Sequence, residues 1–178
     1  MQLTGFGCAQ FRLAVYIGNR PNTADYLDMV DFRPLHTGDI AAINQACGNG
    51  WRKVFNVYAK LLHQLGEPYL TSTLKPTTWQ DCRDNSLLQN GSSTALLFSA
   101  PSFTANSKAI HIIMGKTYAS QVLTDANRLA QLIWLDADFA LLPNERLIVC
   151  PYFDYRQLSN QKIDRLVEII NTLENKAS

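Results

Sequence analysis

The clearest periodicity in the chain lies in WRKVFNVYAKLLHQL. There Trp51, Val54, Tyr58, Leu61, Leu62 and Leu65 recur at steps of three and four. That spacing places them on one face of a helix, and Gly66 is positioned to cap its end. Gly48 and Gly50 interrupt an earlier helix that Thr37 can cap and that runs to about Cys47. A second stripe, Ile163, Leu166, Val167, Ile170 and Leu173, predicts a final helix capped by Ser159, with a tail, 174–178, expected to fray. A third stripe, Tyr118, Val122, Ala126, Leu129 and Ile133, predicts one long helix over about 116–134. Shorter helices are expected after Thr23 and after Thr78, where Thr78-Trp79-Gln80-Asp81 resembles a capping box.

Other stretches change period. FRLAVYI (11–17) alternates, and TALLFSA, AIHIIMG and RLIVCPY are continuous apolar runs. Such runs mark strands buried on both faces, as in parallel sheets. DFALL predicts one more short strand. The order is strand, helices, strand, strand, helix, strand, strand, helix. It predicts a single α/β domain over 1–178, a three-layer α/β/α sandwich with a largely parallel sheet of four to five strands.

Composition changes this picture little. A chain of 178 residues with 47% hydrophobic and 17% charged residues is an ordinary globular domain. Its net charge of +1 argues against tight, nonspecific nucleic-acid binding. No run approaches the length of a membrane span, and MQLTGFGCAQ lacks the basic and apolar regions of a secretory leader. Cys8, Cys47, Cys82 and Cys150 form no CxxC or zinc spacing, so reduced thiols in a cytoplasmic protein are expected. His36, His63 and His111 do not cluster, and His111 reads as a satisfied core residue. Asp136 and Asp138 read as a solvated turn, and Ser99 and Ser102 lack a GxSxG elbow. No metal or cofactor is expected.

Candidate chemistry is concentrated in loops. In open parallel sheets, ligands bind beyond the strand carboxyl ends, which selects the loops 18–22, 100–107, 115–117 and 151–160. Pro151-Tyr152-Phe153-Asp154-Tyr155-Arg156-Gln157 is the richest. Its aromatic faces can stack on a base, Arg156 can grip an anion, and a desolvated Asp154 can act as general base. Gly48-Asn49-Gly50-Trp51-Arg52-Lys53 combines free N–H groups at a helix start with Arg52 and Lys53, an outline of an anion site. Gly115-Lys116-Thr117 offers a weaker version of the same arrangement. Each also has a purely structural reading, as an aromatic loop folded onto a helix edge or as an ordinary turn.

Tyr16-Ile17-Gly18-Asn19-Arg20-Pro21 resembles the Gly-x-Asn-Pro type of turn of the uracil-DNA glycosylase superfamily. The closing half, IHIIMGK, a helix, RLIVCPY, an aromatic loop and a final helix, is similar to the end of that family. The resemblance covers about half of the chain and implies that Asn19 orients an attacking water. The chain departs from the pattern where Arg20 separates Asn19 from Pro21, and where Cys150-Pro151-Tyr152 replaces His-Pro-Ser. The stretch GNGWRKVFNVYAKLL resembles an uncharacterised bacterial protein family with no assigned activity.

Two functions follow from different classes. In one, Asn19, Arg20, Lys116, Tyr152, Asp154, Tyr155 and Arg156 line a cleft for a nucleotide or nucleobase, with Gly50, Arg52 and Lys53 as further ligand contacts. If that cleft is catalytic, it hydrolyses its ligand through Asn19 or Asp154. In the other, the domain is a noncatalytic adaptor or homodimer with the aromatic loop and Trp79 as interface anchors.

Overall fold

The computed structural model describes residues 2–70, 75–101 and 108–177. Ser102 and most of the loop expected at 100–107 lie outside the described residues. In chain order the strands are β1 (Gly5–Gly7), β2 (Leu13–Tyr16), β3 (Phe32–Arg33), β4 (Thr94–Leu97), β5 (Ile110–Met114), β6 (Ile133–Trp134), β7 (Ala140–Leu142) and β8 (Leu147–Cys150). The helices are α1 (Ala24–Leu27), α2 (Asp39–Cys47), α3 (Asn49–Leu65), α4 (Trp79–Asn85), α5 (Lys116–Val122), α6 (Ala126–Gln131) and α7 (Asn160–Ala177).

All of these strands join one sheet in the order β3-β1-β4-β2-β5-β8-β7-β6. An expected sheet of four to five strands is therefore too small: the described sheet has eight. Its middle, β4-β2-β5-β8, is parallel throughout and comprises the strands that the alternating and apolar runs predict. Short strands extend both sides. β1 lies antiparallel to β4 with β3 parallel to it, and β7 lies antiparallel to β8 with β6 antiparallel to β7.

Side chains alternate across this sheet. Leu13, Val15, Ile110, Ile112, Met114, Ile148 and Cys150 share a core with the buried faces of α3 and α7, including Val54, Tyr58, Leu61, Ile163, Leu166 and Ile170. Ala14, Tyr16, Ala95, Ile113 and Val149 face the other way, onto Ala119 and Leu123 at α5. Two polar groups deep in the interior are paired. His111 is fully buried, and its Nδ1 lies 2.8 Å from the Tyr16 hydroxyl. The Tyr58 hydroxyl donates to the carbonyls of Ala95 at 3.0 Å and Leu13 at 3.3 Å, so α3 is fastened to β4 and β2.

Several helices depart from expectation. The stripe over 116–134 is not one helix: α5 ends at Val122, and Asp125 caps α6 by accepting from the Asn127 N–H at 2.8 Å. Leu129 and Ile133 are consequently exposed. Gly38, in a left-handed conformation, takes the position expected of Thr37 before α2, and Thr23 makes no side-chain cap at α1. The Thr78 cap is present, accepting from the Asp81 N–H at 3.1 Å. The expected fraying is also corrected. α7 runs to Ala177, and Glu174 is held by Arg146 at 2.8 Å and by the Tyr69 hydroxyl.

β1 escapes sequence patterning because GFG has no alternating or branched residues. Its glycines are required by close approach. A Cβ on Gly7 would lie 2.7 Å from the Ala95 Cα, at a φ of +134° that L side chains rarely adopt. Gly7→Ala should therefore destabilise the domain by about 3 kcal/mol. That corresponds to a fall of roughly 6–12 °C in the thermal midpoint, measurable by calorimetry.

Candidate functional site

The four parallel strands lie in the spatial order second, first, third, fourth along the chain. The direction of winding reverses between β2 and β5, and a crevice opens beyond the carboxyl ends at such a reversal. A cleft of about 600 Å³ lies there. Gly18 and Asn19 follow β2, Gly115, Lys116, Thr117 and Tyr118 follow β5, and Pro151 and Tyr152 follow β8; all line it. Asp138, from the turn between β6 and β7, and Lys162, from α7, complete one wall.

Local chain geometry brings these groups together. Gly115, at φ +94°, turns the chain out of β5, and its N–H donates to the Cys150 carbonyl at 2.8 Å. The mouths of β5 and β8 are tied by that bond. Gly18 lets the Tyr118 ring lie against the backbone after β2; a Cβ there would sit 2.8 Å from the ring. Across the cleft, the Tyr152 hydroxyl donates to Asn19 Oδ1 at 3.0 Å. This leaves the Asn19 carboxamide NH2 as a donor. Burial raises the Tyr152 pKa above its ordinary value, and the hydroxyl stays protonated. Lys116 donates to the Ala137 carbonyl and lies 4.9 Å from the centre of the Trp134 ring. Lys162 pairs with Asp138 at 2.9 Å.

The aromatic loop divides its side chains among three tasks. Tyr152 faces Asn19. Phe153 is fully buried against Tyr58, edge to face at 5.8 Å. Asp154 accepts from Lys53 Nζ at 2.8 Å and from the Arg156 N–H at 3.0 Å. Lys53 also lies 4.9 Å from the Tyr155 ring centre, and Arg156 at 6.0 Å. Two sequence candidates separated by 101 positions thus meet: the start of α3 and the loop after β8.

The candidates therefore fall into two groups. Asn19, Lys116 and Tyr152 line the cleft. Lys53, Asp154, Tyr155 and Arg156 form a neighbouring cluster, and Gly50 and Arg52 are exposed on the first turn of the same helix as Lys53. Arg20 is used structurally. It donates to the carbonyls of Met29 at 2.7 Å and Leu27 at 3.0 Å, and it lies 5.7 Å from the Phe98 ring centre. Sequence reasoning missed Tyr118, Gln121 and Lys162 as cleft residues, and gave Gln157 no role within the loop after β8. Tyr118 carried a signal, since it follows Gly115-Lys116-Thr117 directly. Lys162 carried none, because the fold alone brings α7 beside the β6–β7 turn. Among the described residues, no group of three or more His, Cys, Asp or Glu side chains could hold a metal ion.

A family model described as a family of unknown function (DUF6942) matches residues 4–171. No curated protein and no solved structure matches the chain. No helix among the described residues is long and apolar enough to cross a membrane.

Desolvation pushes the Asp154 carboxyl up, but the hydrogen bonds from Lys53 and the Arg156 N–H, with both positive charges, hold it below the ordinary value on balance. A carboxyl depressed in the folded state stabilises fully above its unfolded pKa, near about 3.9, and loses that contribution as pH falls through the folded value. Asp154→Asn should therefore lower stability at neutral pH and narrow the gap to the wild type below about pH 4. Denaturant titrations at both pH values read the difference.

Proposed function

The chain belongs to this family of unknown function, and we propose that its cleft binds a small ligand carrying a nucleobase, as a base, nucleoside or nucleotide. The observation that carries this reading is the Asn19–Tyr152 pair at the mouth of a cleft of about 600 Å³. The volume is in the usual range for small-molecule sites. A carboxamide presents a donor and an acceptor in one plane, the pattern that the edge of a base offers in return. Tyr152 and Tyr118 supply aromatic surface beside it. Lys116 supplies positive charge for a phosphate, whereas the charge of Lys162 is balanced by Asp138.

We read the site as one for binding rather than hydrolysis. Asp138 is paired with Lys162, and Asp154 is paired with Lys53 outside the cleft lining. Asn19 after the first parallel strand, with an aromatic loop after the last, is the part of the glycosylase-like resemblance that this reading keeps. Helices against both faces of the sheet fit a three-layer arrangement, and the free cysteines fit a reducing, cytoplasmic setting. As an interface anchor the aromatic loop offers one ring, Tyr155, since Phe153 is in the core and Tyr152 faces Asn19. Trp79 is half-buried, with Lys60 and Arg83 near its ring.

Thermal unfolding against nucleobases, nucleosides and nucleotides tests the proposal. A ligand at about 100 times its Kd adds roughly 2.7 kcal/mol, a rise of several degrees for a domain of this size. One base series should produce that rise. Asn19→Ala should abolish it while shifting the unliganded midpoint by less than about 2 °C, as is usual for an exposed side chain. Gly18→Ala should weaken it by displacing the Tyr118 ring. Absence of any rise across the whole panel at millimolar concentration would overturn the reading.

A further inference from the structure

The two edges of the sheet are finished differently. At one, β3 is followed by Pro34, and Asp31 and Arg33 form an ion pair at 3.6 Å. Leu27 and Val30 are exposed nearby, but Asp25, Asp28 and Asp31 are interspersed among them. Charge and proline are the ordinary means by which an edge strand is kept from recruiting another.

The β6 edge has neither. Leu132-Ile133-Trp134-Leu135 contains no charge and no proline. Leu132 is extended, Ile133 and Trp134 pair with β7, and the Leu135 N–H donates to the Phe139 carbonyl at 2.9 Å. The outer side of β6 meets no strand among the described residues. Leu129 is 46% exposed, Ile133 52%, Trp134 50% and Leu135 39%. Four of the seven large hydrophobic side chains exposed among the described residues thus fall within the seven positions 129–135. Apolar surface concentrated in this way marks an interaction site.

We infer that the strip from Leu129 to Leu135 is the interface of a two-fold homodimer, in which β6 pairs antiparallel with β6 of a second copy. Antiparallel pairing of a strand with its own copy is isologous, so it closes and leaves neither edge open. The charges around the strip favour a copy of this chain over a strongly charged partner. Arg128 pairs with Glu145 at 2.7 Å, Lys162 with Asp138 at 2.9 Å, and Arg165 approaches Asp136 at 4.0 Å. These pairs balance, and the remaining cation, Lys116, is turned onto the Ala137 carbonyl and the Trp134 ring, so two copies meet there with little like-charge repulsion. The same operation at the β3 edge would set Asp25, Asp28 and Asp31 against their own copies. The interface adjoins the cleft wall at Trp134, Asp138 and Lys162, but the inference does not rest on the ligand proposed above.

Sedimentation equilibrium of the full chain, from about 1 to about 100 µM, tests the inference over the range of a moderate Kd. The wild type should approach twice 20.0 kDa at the upper end. Ile133→Glu should remain monomeric, because like charges then face each other across the axis. Ile133→Lys should behave in the same way, and an equimolar mixture of the two variants should dimerise again. That recovery also shows that both variants are folded. A wild type that stays monomeric, a dimer that survives both substitutions, or a mixture that fails to recover would each overturn the inference.

Discussion

A sheet buried on both faces leaves a polar ligand one kind of place to bind. β2, β4, β5 and β8 are hydrogen-bonded to neighbours on both sides, and every residue in them is buried. Their backbone groups are spent on one another, and their side chains are spent on two cores. Exchangeable chemistry is pushed to the strand ends, where backbone pairing stops and the chain must turn. The cleft at Asn19, Lys116 and Tyr152 is that consequence in this protein. The reversal of winding between β2 and β5 determines where along the carboxyl ends the cleft opens.

The loop after β8 shows how a short segment can serve the core and the cleft at once. Consecutive residues point in different directions: Tyr152 to the cleft, Phe153 into the interior, Asp154 to Lys53. Phe153 anchors the loop, and the Asp154 pair secures it from the side. Tyr152 is thereby held by its neighbours as well as by its bond to Asn19. Preorganisation of this kind reduces the ordering that a ligand would otherwise have to impose.

The central strands and the α3 stripe were legible because burial on two faces or on one leaves a direct trace in residue choice. Trp51, Val54, Tyr58, Leu61 and Leu62 are all buried as their spacing requires. The extra strands were not legible. β1 is formed by glycines chosen for close approach, and β3 and β6 are too short to show a period. The stripe from Tyr118 to Ile133 misled because helical spacing alone does not reveal the break at Leu123-Thr124-Asp125. At the site, single loops were legible and their pairings were not. Nothing in the sequence joins Lys53 to Asp154, or assigns Arg20 to the carbonyls of Leu27 and Met29 instead of to a ligand.

The position of β1 has a consequence for the order in which the chain can assemble. Its antiparallel partner is β4, with Gly5 opposite Leu97, so 92 residues must be made before the ladder can form. At synthesis rates of about 5–20 residues per second, Phe6 spends roughly 5–18 s without its antiparallel partner, with only β3 available beside it. β2 waits almost as long for β4, and longer for β5. The amino-terminal segments thus emerge first and dock late, and α3 is finished before any strand of the parallel middle has a neighbour. A nascent chain of this topology has the 17-residue α3 complete while the parallel middle of its sheet is still unpaired.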